Sequence, residues 1–514
     1  MASDIGRLVE EAARDRPSEL AVAEGRTGDV LTWGRLGSVV GAWGEGSGGP
    51  GRLVALVAER PLHFVEAYLG LLASGAVVLP LDPNAPEAEM VAAMAGFGVS
   101  AVATDSPAGR RAAEAAGLDV WPIPHPEQVR LAGEAGEPVT WAEPGTVVLR
   151  SSGTTGTPKG VPLGEARLLR AARCVGRHHR LTRADRVYSS LPLFHINAQV
   201  VGLLAAVVSG AGLVVDDRFH RSGFWDVVGE WDATVLNAVP AILAILAEEE
   251  PPPEAVSRRL RFARSASAPL PLATLARFEE RCGIGVLETY GMTEAAGQIC
   301  ANPLHPGDRR PGSVGRPVGI ELRVVDEAGS PVGDSVSGFV EIRGPSVTPR
   351  YVIPAGPGGL EVPGGRGGCP ALRPACGPSG WLRTGDAGYR DAGGFVYLMG
   401  RTDGVINRGG EKVYPREVEE VLRLHAAVAE AAVVGEPDPV LGQRPVAFVV
   451  PRSPGAGAGL TSELLELCRR ELGRHKQPAR IHVMASLPAT PTGKVRHDKL
   501  RALAGQPGPV PVSQ

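Results

Sequence analysis

Lysine is nearly missing from this chain: of 53 Lys plus Arg, five are lysine, namely Lys159, Lys412, Lys476, Lys494 and Lys499. With 68 Gly and 46 Pro, this points to a GC-rich coding bias that substitutes arginine wherever a planar fork serves. A retained lysine then marks a position that needs a compact ammonium. The six cysteines contain no CxxC pair, which argues against a zinc ribbon or redox motif and fits a reducing cytoplasm. Cys369 and Cys376 stand without a partnering His/Cys set, so a metal site there is not expected. The opening MASDIGRLVEEAARDRP has no apolar core and carries both charge signs, so no secretory signal is expected. The longest apolar stretch, residues 200–215, falls short of a bilayer span and contains Ser209, Gly210 and Gly212. A buried helix followed by a buried strand is expected there, with no membrane span. The net charge of -3 argues against nucleic acid and anionic membrane as main partners, since both attract strongly basic surfaces.

At 514 residues the chain needs two or more cores. Apolar β-rich runs at 53–57, 76–81, 100–104, 146–149 and 212–215 alternate with helical patterns such as 62–72 and 87–94. That alternation predicts an α/β domain of parallel-rich sheets flanked by helices. From about Ser313 the pattern turns β-rich, with strands at 321–325, 338–342 and 394–398. Residues 354–380 are Gly/Pro-rich without periodicity and read as a surface loop. After Asp403 a smaller α+β unit is expected, with helices at 415–424 and 462–472 and strands at 431–434 and 445–450. The tail beyond Leu503 has the composition of a disordered segment.

A short apolar run at 147–149 leads into SSGTTGTPKG, residues 151–160. Five hydroxyls, three glycines and a lysine in ten residues suit a phosphate grip, because glycine lets backbone N–H groups approach oxygens closely. The loop is not a Walker A motif: Pro158 stands where that motif needs glycine before its lysine. Pro158 also removes a backbone donor, which predicts a loop between strands rather than a helix-capping cradle.

SSGTTGTPKG closely resembles the phosphate loop of the AMP-forming acyl-adenylate superfamily: acyl-CoA synthetases, adenylation domains and luciferases. The resemblance continues in the family's order through LPLFHINAQ (191–199), TYGMTEAAG (289–297), GWLRTGDAGY (380–389), GRTDGVINRGGEKVYPREVEE (400–420) and PTGKVRHDKL (491–500). It implies two domains, 1–402 for ATP and acid binding and a mobile 403–514 with its hinge at Asp403. It further implies that ATP is held by Ser151, Ser152, Gly153, Thr154, Thr155, Lys159, Gly291 and Met292. By the same resemblance Tyr290 stacks on adenine, Ser267 and Ala268 line it, and Thr293 bonds the α-phosphate. Glu294 is placed near the phosphate-bridging Mg²⁺, which one or two carboxylates ordinarily hold. Asp386 takes both ribose hydroxyls, as a carboxylate's lone pairs allow, with Arg401 beside it. Lys494 is the implied catalytic lysine, stabilising charge on the phosphoryl oxygens as the carboxylate attacks. Gly409, Gly410 and Lys412 are assigned to the thiol channel of coenzyme A; the plain alternative for the two glycines is a β-turn.

The implied acyl pocket comprises His195, Asn197, Ala198, Val201, Val239, Ser265, Gly291, Ala295, Ala296 and Gly297. Most are small, which predicts room for a bulky acyl or aryl group. Amino-acid-adenylating relatives carry an aspartate here, but FHINAQ (194–199) is free of acid, so an acid without an α-ammonium is favoured. With no carrier domain after Lys494, free coenzyme A is the expected acceptor. Loading of a carrier protein, or a single half-reaction, remains the competing reading, and a non-catalytic nucleotide-binding regulator is the alternative outside enzymes. Three departures from the family pattern stand out: Arg350 before Tyr351 where glycine is common, Gly404 after Asp403, and the length of 354–380.

Overall fold

The computed structural model describes residues 3–46, 50–123, 138–152, 158–355, 370–453, 457–489 and 495–504. Among the residues singled out above, Gly153, Thr154, Thr155, Cys369 and Lys494 lie outside the described residues, as does the tail from 505. For Ser151 and Ser152 the backbone alone is described.

One sheet has eight strands, in spatial order Ala371–Pro374, Arg350–Ile353, Pro158–Leu163, Val147–Ser152, Val77–Pro80, Leu53–Val57, Ala101–Thr104 and Asp119–Pro122. The strands from Val147–Ser152 to Asp119–Pro122 run parallel, and the rest pair antiparallel. A second sheet has nine, in order Arg316–Pro317, Gly297–Ala301, Val286–Met292, Phe262–Ser265, Val235–Ala238, Arg186–Ser189, Gly212–Val215, Leu20–Glu24 and Val30–Thr32. Its strands from Val286–Met292 to Leu20–Glu24 are parallel. Every residue of Leu53–Val57 is buried, as expected of a parallel strand covered on both faces. The helix Pro61–Ala73 is buried almost all round because it touches strands of both large sheets. An apolar stripe on one side would not have sufficed there.

Residues 321–401 add a four-stranded antiparallel sheet, Glu321–Val325, Gly338–Arg343, Leu382–Arg390 and Val396–Arg401. A small C-terminal unit follows. Its strands Glu411–Val413, Ile406–Arg408, Gly442–Pro451 and Val428–Asp438 form a sheet, with Arg480–Val483 added parallel to Gly442–Pro451. The helices Pro415–Arg423 and Gly457–Glu471 set Val418, Leu422 and Leu464 against Val433 and Val449 of that sheet. The architecture is the expected α/β one: a large N-terminal domain, a β-rich portion, and a small domain of α and β elements.

One local expectation needs correction, and the helix-then-strand expected at 200–215 is met with one local irregularity. Residues 354–380 are not loop throughout, since Ala371–Pro374 is a strand paired antiparallel with Arg350–Ile353. Its ladder comes from a partner strand, which explains why residues 371–374 carry no period of their own. The stretch 200–215 begins inside a π-helix, Asn197–Leu204, that tightens to an α-turn, Ala205–Ser209, before the strand Gly212–Val215. Wide helical turns of this kind are rare and are concentrated at functional sites.

Candidate functional site

The strands Val147–Ser152 and Pro158–Leu163 form an antiparallel pair in which Ser151 faces Lys159 and Ser152 faces Pro158. The two ends of the Ser/Thr/Gly segment thus lie in paired strands, as Pro158 predicted, while residues 153–157 lie outside the described residues. The next strand outward is Arg350–Ile353, joined through Val352 and Gly160, and it brings Tyr351 beside Lys159. The Lys159 Nζ lies 3.6 Å from the Tyr351 ring centroid, a cation–π contact. Both groups converge on one carboxylate: Lys159 Nζ is 3.2 Å from Glu294 Oε1, and the Tyr351 hydroxyl donates to the same oxygen at 3.2 Å. Glu294 is 6% exposed and sits in a single 3₁₀ turn, Thr293–Ala295, that reverses the chain between Val286–Met292 and Gly297–Ala301. Its carbonyl accepts from the Thr348 amide at 2.7 Å, which ties the turn to the segment leading into Tyr351.

At the other side of the same motif the Tyr290 hydroxyl donates to Asp386 Oδ2. Asp386 opposes Arg401 in the sheet register, with Arg401 Nη1 at 3.6 Å from its Oδ1. Arg401 also donates to the Thr384 carbonyl at 2.8 Å. Gly385 has φ +80°, a left-handed conformation that favours glycine, and a Cβ there would push against the Arg401 guanidinium. Burial raises the Asp386 carboxyl above its usual range, against the Tyr290 hydrogen bond and the Arg401 charge, which lower it. Tyr290 and Asp386 were implied as separate contacts to base and ribose; the structure joins them directly.

The acid-pocket candidates surround a polar core. Asn197, at the start of the π-helix, donates from Nδ2 to Ser267 Oγ at 3.1 Å. Its Oδ1 accepts from Arg264 Nη1 at 2.8 Å, and the same Nη1 donates to Asn237 Oδ1 at 2.9 Å. Ser267 holds φ +72° and is exposed, Ala268 beside it is half-buried, and Ser265 Oγ is buried without a hydrogen-bond partner. Ala198, Val201, Ala295 and Ala296 are buried, Val239 is half-buried at the head of Pro240–Leu246, and the His195 ring lies tilted at 51° against Phe194 with ring centroids 4.4 Å apart. The expectation of generous room is corrected at Gly291. A Cβ there would sit 2.0 Å from the Gly297 carbonyl oxygen, so backbone crowding, not ligand volume, demands that glycine. Glycine at 297, with φ +111°, backs onto Val200 and Val201.

The two glycines of the thiol-channel motif form a two-residue hairpin turn. Gly409 and Gly410 have φ +62° and +90° between paired Arg408 and Glu411, a conformation that favours glycine at both places. Lys412 pairs with Glu327 at 2.7 Å and Asp403 lies 3.5 Å from Arg401 Nε, so this hairpin and hinge candidate touch the β-rich portion, not the acid-pocket residues. Lys476, another of the five lysines, is held against Glu417 at 2.5 Å.

Tyr351, Arg264 and Asn237 are the site residues that motif reading passed over. An arginine inside the short apolar run FARS (262–265) was a visible signal, since parallel strands rarely carry a charge.

The model of the AMP-binding enzyme family matches residues 9–352, and that of the AMP-binding enzyme C-terminal domain matches 417–494. Over 512 residues the chain is 38% identical to the sulfoacetate–CoA ligase of Cupriavidus necator, covering 96% of this chain and 97% of that protein. It is 33% identical over 469 residues to an oxalate–CoA ligase of Arabidopsis thaliana, covering 87% of each. The crystal structure of ATP-bound MatB from Rhodopseudomonas palustris aligns with a TM-score of 0.85 at 25% identity, covering 98% of this chain and 99% of that one. With these matches along both parts of the sequence, the chain belongs to the AMP-binding enzyme family, within the AMP-forming acyl-CoA synthetase superfamily.

Proposed function

We propose that this protein is an AMP-forming acid–CoA ligase acting on a carboxylic acid that lacks an α-ammonium. The observation that carries the reading is the convergence of Lys159, Tyr351 and Glu294 on one oxygen, next to the Tyr290–Asp386–Arg401 group. In the first half-reaction a carboxylate oxygen of the acid attacks the α-phosphorus of ATP, and the bond to pyrophosphate breaks. In the second the coenzyme A thiol, losing its proton to solvent, attacks the acyl carbon and AMP leaves.

Ser151, Ser152, Gly153, Thr154, Thr155 and Lys159 hold the phosphates; Asp386 and Arg401 hold the ribose; Tyr290, Ser267 and Ala268 border the base. Thr293 donates to the α-phosphate, and Lys494 bridges acid and phosphate. Glu294 fits Mg²⁺: it is a hard, buried carboxylate, and one such ligand with phosphate oxygens is a usual donor set for that ion. When bound, Mg²⁺ supplies neutralisation of charge on the phosphate oxygens. The proposal divides the chain into 1–402 and 403–514, with Asp403 as the hinge that exchanges Lys494 for the Gly409–Gly410 turn at the reacting centre. It includes a cytoplasmic location, which the absence of disulfides among the described residues supports. No helix among them is long and apolar enough to cross a membrane.

The acids named for the relatives above, sulfoacetate and oxalate, bear a second acidic group, so that class heads the screen. An acid library read side by side for pyrophosphate and thioester tests the reading. Thioester formation with free coenzyme A supports it. Pyrophosphate release with transfer only to a carrier protein, or thioester only from supplied acyl-adenylate, replaces it by one of its two alternatives.

A further inference from the structure

Arg264 is 3% exposed and lies on Phe262–Ser265, opposite Asn237 in the parallel register. Its two hydrogen bonds go to neutral amide oxygens, those of Asn197 and Asn237. Its Nε is buried without a hydrogen-bond partner. Among the described residues no carboxylate pairs with the guanidinium, whose hydrogen bonds go to Asn197 and Asn237. Burial pulls its pKa down to about 9, which leaves it a cation at neutral pH. A buried cation without a counter-ion is costly, because amide dipoles restore only part of its lost hydration.

The surroundings connect this cation to the acid pocket. Asn197 bridges it to Ser267, on the loop that leads from the same strand toward the nucleotide motif. A small, mostly apolar pocket beside the guanidinium is lined by Leu181, Val187, Val201, Val235 and Phe262 together with Asn237 and His179, and Val201 is the residue against which Gly297 backs. His179 adds no competing charge. Its Nδ1 donates to the Val175 carbonyl at 3.0 Å, and burial together with the Arg264 charge holds its pKa well below the ordinary imidazole value.

We infer that the acid activated here carries a second anionic group, carboxylate or sulfonate, and that Arg264 receives it at the inner end of the acid pocket while the first carboxylate faces the nucleotide. The inference rests on the acid–CoA ligase reading and narrows its substrate class. A planar guanidinium with an unused Nε suits a two-oxygen anion, and a charge-assisted contact restores the balance that Asn197 and Asn237 leave incomplete.

The test compares matched acids of equal carbon number, succinate with butyrate and malonate with propionate, and adds sulfoacetate against acetate. Pyrophosphate release gives kcat and KM for the wild type, Arg264→Gln and Arg264→Lys. The wild type is expected to favour each diacid by roughly 100-fold or more in kcat/KM. Arg264→Gln should erase most of that preference through the KM of the diacid, with Arg264→Lys in between. A preference for the monoacids, or equal losses on both members of each pair, overturns the inference. ATP binding to each variant, measured by calorimetry, reports whether the fold survives. If Arg264→Gln does not fold, the wild-type preference and Arg264→Lys decide. Turnover of monoacids alone defeats this inference and leaves the ligase reading standing, whereas no thioester from any acid defeats both.

Discussion

Glu288 offers a prediction whose size follows from its surroundings. It is 6% exposed on Val286–Met292, and its Oε2 has no hydrogen-bond partner. The helix Pro415–Arg423 presents Arg416, which favours the charged form, and Glu420, which opposes it; a hydrogen bond from the Leu270 amide also favours the charge. Burial outweighs these and moves the carboxyl from 4.5 to about 7. Between those values the unfolded chain has released a proton that the folded chain still holds, so the native state binds more protons and loses stability as pH rises. The loss begins near 4.5, the unfolded value, and levels off above about 7. A displacement of that size corresponds to about 3 kcal/mol. Glu288→Gln keeps the shape and removes the titration. Denaturant unfolding of both proteins from pH 5.5 to 8 should show the variant gaining on the wild type by about 2 kcal/mol across the window. Parallel stability–pH curves would refute the buried, proton-holding carboxyl.

Three other outcomes are expected. Lys494→Ala should lower adenylate formation by about 10²–10³-fold while sparing thioester formation from supplied acyl-adenylate; unchanged pyrophosphate release rules the role out. Lys159→Ala should raise the KM for ATP by about 10-fold or more with little change in the KM for coenzyme A, and equal effects on both would contradict a phosphate contact. Gly291→Ala places a methyl 2.0 Å from the Gly297 carbonyl oxygen, so the strand pair must separate. Its thermal midpoint should fall, by about 1–3 kcal/mol in stability, and a midpoint equal to wild type would show that the turn yields easily.

Much of this molecule is legible in the sequence because parallel strands buried on both faces read as unbroken apolar runs, as at 53–57 and 212–215. Pro158 foretold the hairpin around the phosphate loop by removing a donor that a helix-capping cradle would use. The misses are non-local. Tyr351 meets Lys159 only because Arg350–Ile353 joins the sheet next to Pro158–Leu163. Residues 371–374 are a strand only because residues 350–353 pair with them. Arg264 is not singled out in the sequence, because its place is set by the parallel register with Asn237. Gly291 shows the reverse error, a small residue taken for ligand space when a backbone carbonyl occupies it. Lys494 lies outside the described residues, so its position still rests on the motif around it.

With Lys159 on phosphate and Glu294 on the metal, as proposed above, their mutual contact would make nucleotide binding an exchange of counter-ions. At rest each charge neutralises the other. A polyphosphate arriving alone would draw Lys159 away and leave Glu294 facing more negative charge. A divalent cation arriving alone would claim Glu294 and leave the ammonium unmatched. When the two arrive together, both charges change partners and neither is stranded. By reciprocal linkage, the metal should therefore tighten ATP binding by the same factor as ATP tightens the metal, and neutralising either residue should shrink that factor.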